Sequence, residues 1–137
     1  MSDPQYFNLD EANALLGQVI PLIEQLRALR KSIVHLHEQL GEPMGHFEAG
    51  NGYPLKDVHR SLEELTQRQM LLIEAFRSAL DQLQALGCVL KDLETGLVDF
   101  YSLRAGEPIL LCWRLGEDRI RFWHTLESGF MGRQPLE

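Results

Sequence analysis

Asp99, Glu117 and His124 are the side chains best suited to moving protons in this sequence. An imidazole titrates near neutrality, and a carboxylate beside it sets its orientation and charge. Arg114, Arg121 and Arg133 lie in the same C-terminal stretch. Guanidinium forks hold carboxylates and phosphates, so the three arginines, floored by Trp123, describe a site for a small anionic metabolite. Cys112 is a poor nucleophile, because it stands mid-strand, where a cysteine serves as a small apolar side chain.

That reading depends on strand register. If Gly116–Arg119 is a four-residue connection, Leu115 pairs with Ile120, Trp113 with Phe122 and Leu111 with His124 on a core face. Arg114 then faces Arg121 and Cys112 faces Trp123 on the other side. Two facing guanidinium groups repel unless an anion or carboxylates compensate them. The competing reading is a salt-bridged sheet surface, with Asp99, Glu117, Asp118 and Glu127 as the compensating groups and His124 capping the core.

Histidines are also concentrated between residues 35 and 59, at His35, His37, His46 and His59, among several carboxylates. His35 and His37 are about 200° apart around a helix and do not share an ion. His37 and His59, with Glu63 one turn further on, are the better pair for a transition metal. Zinc-type ligand spacing is absent, so no metal is expected. The glycines from 41 to 52 lack the preceding strand of a nucleotide-binding loop, and no Gly-x-Ser-x-Gly elbow occurs.

The elements that must position these residues are legible in the apolar spacing. Leu9, Ala12, Leu16, Val19, Ile23 and Leu26 alternate steps of three and four, and Leu15, Leu22, Leu29 and Leu36 form a flanking coiled-coil row. A helix over residues 8–40 follows, with Asn8 and Glu11 as a capping box, a kink or break near Pro21, and Gly41 as its stop. A second stripe from Val58 through Leu62, Leu65, Leu72, Phe76 and Leu83 predicts a helix over 54–86. Residues 41–53 form the tip loop between them. After Gly87 the period shortens to strand-like runs at 88–90, 97–100, 109–115 and 120–124. The expected fold is α+β, a single domain over residues 1–137: a long antiparallel helical hairpin followed by a small antiparallel β-meander of three to four strands, with residues 88–137 forming sheet and tail.

Composition narrows the function classes. With 13 Lys and Arg against 20 Asp and Glu, the net charge of −7 argues against a nucleic-acid surface. No apolar run is long enough to span a membrane, and residues 1–6 lack the pattern of a secretory signal. Two cysteines fit a reducing compartment, so a cytoplasmic location is expected.

The chain resembles an uncharacterised prokaryotic family, domain of unknown function 2203. The resemblance is carried by Tyr6-Phe7-Asn8-Leu9-Asp10-Glu11, Lys91-Asp92, Gly96-Leu97-Val98-Asp99-Phe100, Leu111-Cys112-Trp113-Arg114, Gly116-Glu117, Phe122-Trp123-His124, Gly129-Phe130 and Gly132-Arg133-Gln134-Pro135. Where that family commonly has proline after the phenylalanine, this chain has Tyr101. The resemblance implies a bacterial cytoplasmic protein and brings no activity, substrate or cofactor.

Three function classes follow from the residues. The first is a dimeric protein binding a small anion through Arg114, Arg121 and Arg133, with Asp99, Glu117 and His124 orienting it or exchanging protons. The second is a non-catalytic oligomerisation or adaptor protein that forms a homodimer through its helices. The third is a metal-dependent enzyme using His37 and His59.

Overall fold

The computed structural model describes residues 4–46 and 55–136. Two helices, α1 (Leu9–His46) and α2 (Leu55–Ala85), precede five strands: β1 (Val89–Asp92), β2 (Leu97–Arg104), β3 (Glu107–Arg114), β4 (Phe122–Thr125) and β5 (Gln134–Pro135). The strands form one antiparallel meander in sequence order. This is the expected α+β architecture with one more strand. β5 is two residues of tail paired to β4, too short to give a periodic signal.

The capping box forms reciprocally. The Glu11 amide donates to Asn8 Oδ1 at 2.7 Å, and the Asn8 amide donates to Glu11 Oε1 at 2.9 Å. Two of the amides without intrahelical partners are thereby satisfied. The helix then runs unbroken through Pro21, so of the break or kink expected there the break does not occur. Pro21 lies on the exposed face, while Val19, Ile23 and Leu26 on the opposite face are fully buried. Packing on both sides of the missing donor holds the turn, and Gly17, whose carbonyl loses that donor, is exposed. The stop expected at Gly41 is displaced to His46, since a glycine costs a helix only about 1 kcal/mol. What remains of the expected tip loop, residues 47–53, lies outside the described residues, as does the side chain of His46.

One apolar core joins helices and sheet. It takes Ala12, Leu16, Val19, Ile23 and Leu26 from α1, Ala79 and Leu83 from α2, and Val98, Phe100, Ile109, Leu111 and Trp113 from the sheet. Past Leu26 and before Phe76 none of the described helical residues belongs to it. About 20 residues of each helix, roughly 30 Å at 1.5 Å per residue, therefore continue as a two-helix arm. Within that arm the α2 stripe residues Val58, Leu62, Leu65 and Leu72 are only half-buried.

The turn between β2 and β3 has positive φ at both Ala105 and Gly106, the two-residue geometry that matches strand twist. Gly96 is required differently. Its φ is +70°, and a Cβ there would come 2.6 Å from Leu115 Cβ. The Leu115 amide donates to the Gly96 carbonyl at 3.0 Å at the same place. Among the described residues no helix is long and apolar enough to cross a membrane.

Candidate functional site

The decisive feature is the register between β3 and β4. Cys112 pairs with Phe122, Leu111 with Trp123 and Leu110 with His124, one residue away from the expected pairing. A slip of one residue moves every side chain of a strand to the opposite face. Trp123 therefore packs on the helix side, against the core, with the Arg104 guanidinium 4.6 Å over its ring. His124 moves to the face away from the helices.

The cause lies in the connection. It occupies residues 115–121, not four residues, and is tied down from both sides. The Ile120 amide donates to Asn13 Oδ1 in α1 at 2.8 Å, which places Ile120 in the core at 2% exposure. Trp113 Nε1 donates to the Glu117 carbonyl at 3.0 Å, and the Arg114 amide to Glu117 Oε1 at 2.8 Å.

The facing arginine pair is consequently not formed. Arg121 precedes β4 and is bound to Asp118, with hydrogen bonds of 3.1 Å from Nε and Nη2, in open solvent at 48% and 73% side-chain exposure. Arg114 is exposed, with its guanidinium 5.8 Å from the Phe130 ring. Arg133 does fold onto the sheet. Its guanidinium lies 4.1 Å over Phe122 and 5.0 Å from Phe130, pairs with Glu117, and donates to the Cys112 carbonyl at 3.3 Å. Arg121 and Arg133 each hold a carboxylate, while Arg114 and Arg133 share the Phe130 ring, so the expected anion recess with Arg114 facing Arg121 is not built. Trp123, on the opposite face, does not floor one.

His124, expected to form an acid–base pair with Asp99 or Glu117, is brought to Asp99. Asp99 sits opposite Cys112 in the β2–β3 register, and His124 is one pair further along β3. His124 Nε2 lies 3.0 Å from Asp99 Oδ2, and Nδ1 lies 2.7 Å from the Thr125 carbonyl. A carbonyl only accepts, so Nδ1 carries a hydrogen and the lone pair belongs to Nε2 unless the ring is charged. One further proton must therefore occupy the Nε2–Oδ2 contact. Held on either side, it leaves the pair with no net charge, which suits groups 1% and 2% exposed. Burial raises the Asp99 carboxyl above its usual range, against the lowering effect of His124 and of the Cys112 thiol beside it. Asp99 Oδ1 is buried with no hydrogen-bond partner. Glu117 stands apart, engaged with Arg133.

Cys112 is the member that sequence reasoning set aside. Asp99, Cys112 and His124 each offer a ligand atom, all within 4.8 Å of one another, and among the described residues this is the one such group of His, Cys, Asp and Glu. Asp99 and Cys112 share a face as a β2–β3 register pair, and the observed β3–β4 register adds His124 to them; no such β2–β3 pairing was drawn from the sequence. The trio does not work as a cysteine nucleophile. Both imidazole nitrogens are engaged elsewhere, and burial pushes the Cys112 thiol up to about 11. His37 and His59 are exposed on the helical arm, and among the described residues they belong to no ligand group.

The chain matches none of the curated proteins and none of the solved structures. The model of an uncharacterised conserved protein family, DUF2203, matches residues 5–136, and with nearly the whole chain inside that match the protein belongs to this family.

Proposed function

We propose that this protein is a non-catalytic assembly module whose two-helix arm docks against a second copy of the chain. The carrying observation is the outer face of α2. Arg60, Glu64, Gln67, Leu71, Glu74, Ser78 and Asp81 follow one another at alternating steps of four and three, and all are exposed. Only Leu71 in this row is apolar, so a partner helix would read it through charges around a small apolar centre rather than through a full coiled-coil seam. At its centre Met70 and Leu71 are 65% and 71% exposed, and Ile73 and Val34 add further uncovered apolar surface to the arm.

The charges favour an antiparallel copy. About a two-fold axis at Met70 and Leu71, Glu64 comes opposite Arg77 of the second copy and Arg60 opposite Asp81. Burying what is still exposed of Met70 and Leu71 on both copies contributes about 4–8 kcal/mol gross. Association costs of comparable size leave a weak, concentration-dependent dimer. Sedimentation velocity across a concentration series tests this. Wild type should shift from monomer to dimer, Arg77→Glu should weaken the dimer at least tenfold, and Glu64→Arg combined with Arg77→Glu should recover it. A wild type that stays monomeric at high micromolar concentration, or a charge reversal without effect, defeats the reading.

One observation favours binding of a small anion as a second reading. An open groove of about 510 Å³ lies where Arg27, Arg30, Lys31 and His35 of α1 meet Leu93 and Glu94. Phosphate or pyrophosphate should raise the thermal midpoint of wild type and leave Arg30→Ala unmoved. Equal responses from the two proteins would place any anion effect elsewhere.

A further inference from the structure

We propose that Asp99, Cys112 and His124 form a structural binding site for a zinc-type divalent cation that pins β2, β3 and β4 together. The donor set is one carboxylate oxygen, one thiolate sulfur and one imidazole nitrogen, a combination that selects zinc among common ions. The ligand nitrogen is already defined. Nδ1 donates to the Thr125 carbonyl at 2.7 Å, the outer hydrogen bond that orients metal-bound histidines, and this leaves Nε2 facing Asp99.

A second observation points to a missing partner. Asp99 Oδ1 is buried and accepts no hydrogen bond, although its carboxylate is 1% exposed. A cation held by Cys112 Sγ, His124 Nε2 and a chelating Asp99 gives that oxygen a partner, the two carboxylate oxygens together taking one side of a distorted site because they lie too close to fill two tetrahedral corners. Bonds of 2.0–2.3 Å at near-tetrahedral angles place Cys112 Sγ, His124 Nε2 and the nearer Asp99 oxygen roughly 3.3–3.8 Å apart. The present limit of 4.8 Å closes to that by side-chain movements of about 1 Å.

The charge balance suits a buried site. The metal-free trio is neutral, holding one proton in the imidazole–carboxylate contact and one on the thiol. Entry of a divalent cation releases both protons to solvent, leaving carboxylate, thiolate and neutral imidazole around a +2 ion, again with no net charge. The members of the trio are at most 2% exposed, so the role is structural and not catalytic.

The test uses the full chain prepared without a histidine tag, stripped with chelator, unfolded in urea and refolded with or without one equivalent of Co²⁺ or Zn²⁺, so that burial does not prevent loading. Co²⁺ should produce a thiolate charge-transfer band in wild type and in Cys88→Ser. The band should be lost in Cys112→Ser. Zn²⁺ should raise the thermal midpoint of wild type and bind Asp99→Asn at least tenfold more weakly. Absence of the band together with an unmoved midpoint in refolded wild type overturns the proposal, as does a band that survives Cys112→Ser. Should Cys112→Ser fail to refold, the Asp99→Asn affinity decides: unchanged binding overturns the site.

Discussion

In the chelated protein the Asp99–His124 pair should behave as one unit in a double-mutant cycle. The two side chains are 2% and 3% exposed and share one hydrogen bond of 3.0 Å. His124→Leu leaves both oxygens of Asp99 and the Thr125 carbonyl without a donor. Removing one member of a buried ion pair costs about 3–5 kcal/mol, and the lower end applies because the Asp99 carboxyl, already raised by burial, can keep a proton and stay neutral. Asp99→Ala leaves Nε2 bare beside a small void, which costs about 1–3 kcal/mol. In the double variant the apolar volume is nearly conserved and only the Thr125 carbonyl is orphaned, so its loss should be about 1–2 kcal/mol. The singles together exceed the double by at least about 2 kcal/mol. Urea unfolding followed by tryptophan fluorescence measures all four proteins, and the thermal midpoint of His124→Leu should fall by roughly 10–15 °C at this chain length. Additivity within about 0.5 kcal/mol would refute the reasoning, since it would mean that the contact carries no energy of its own.

The same proton sets the pH profile of the metal-free protein. A carboxyl whose folded value is raised contributes stability at low pH that is lost as pH rises, but between about pH 4 and 6.5 the unfolded chain also holds one proton, on histidine. Urea midpoints should therefore be level with respect to this pair from about pH 4 to 6.5 and then decline by up to about 1.4 kcal/mol per pH unit, with the extra slope absent from the Asp99→Ala, His124→Leu double variant; parallel profiles count against it. The arginines should separate in the same assay. Arg133→Ala breaks the Glu117 pair and the stacking on Phe122 and should cost about 1–3 kcal/mol, whereas Arg121→Ala, whose partner Asp118 is 73% exposed, should leave the thermal midpoint unmoved. Equal losses from both would show that the tail does not depend on Arg133.

The helices were legible because their information is local. The heptad steps from Leu9 to Leu26 put Ala12, Leu16, Val19, Ile23 and Leu26 in the core, and Asn8 with Glu11 marked the start to the residue. Their far ends were not, since glycine is a weak stop against continued pairing with a second helix, and α1 passes Gly41 to reach His46. Asp99 was visible for a different reason. A lone carboxylate inside Leu97-Val98-Asp99-Phe100 has to be either a surface break or a paired buried charge, and the strand is covered on both faces.

What stayed hidden was a distance across the fold. Turn statistics favour a short connection after Arg114, and that preference put His124 on the core face and two arginines side by side. The length is settled instead by Asn13, whose side chain takes the Ile120 amide from 107 residues away. With Ile120 fixed in the core, β4 has to start at Phe122, and parity then sends Trp123 inward and His124 outward. The same parity decides the chemistry. One setting of β4 yields an exposed basic face with no ligand in reach of its imidazole, while the other closes carboxylate, thiol and imidazole into a neutral, buried trio beneath Arg133. Asn13→Ala removes the tie without touching the trio, so any loosening of the Asp99–His124 contact in that variant traces to register alone.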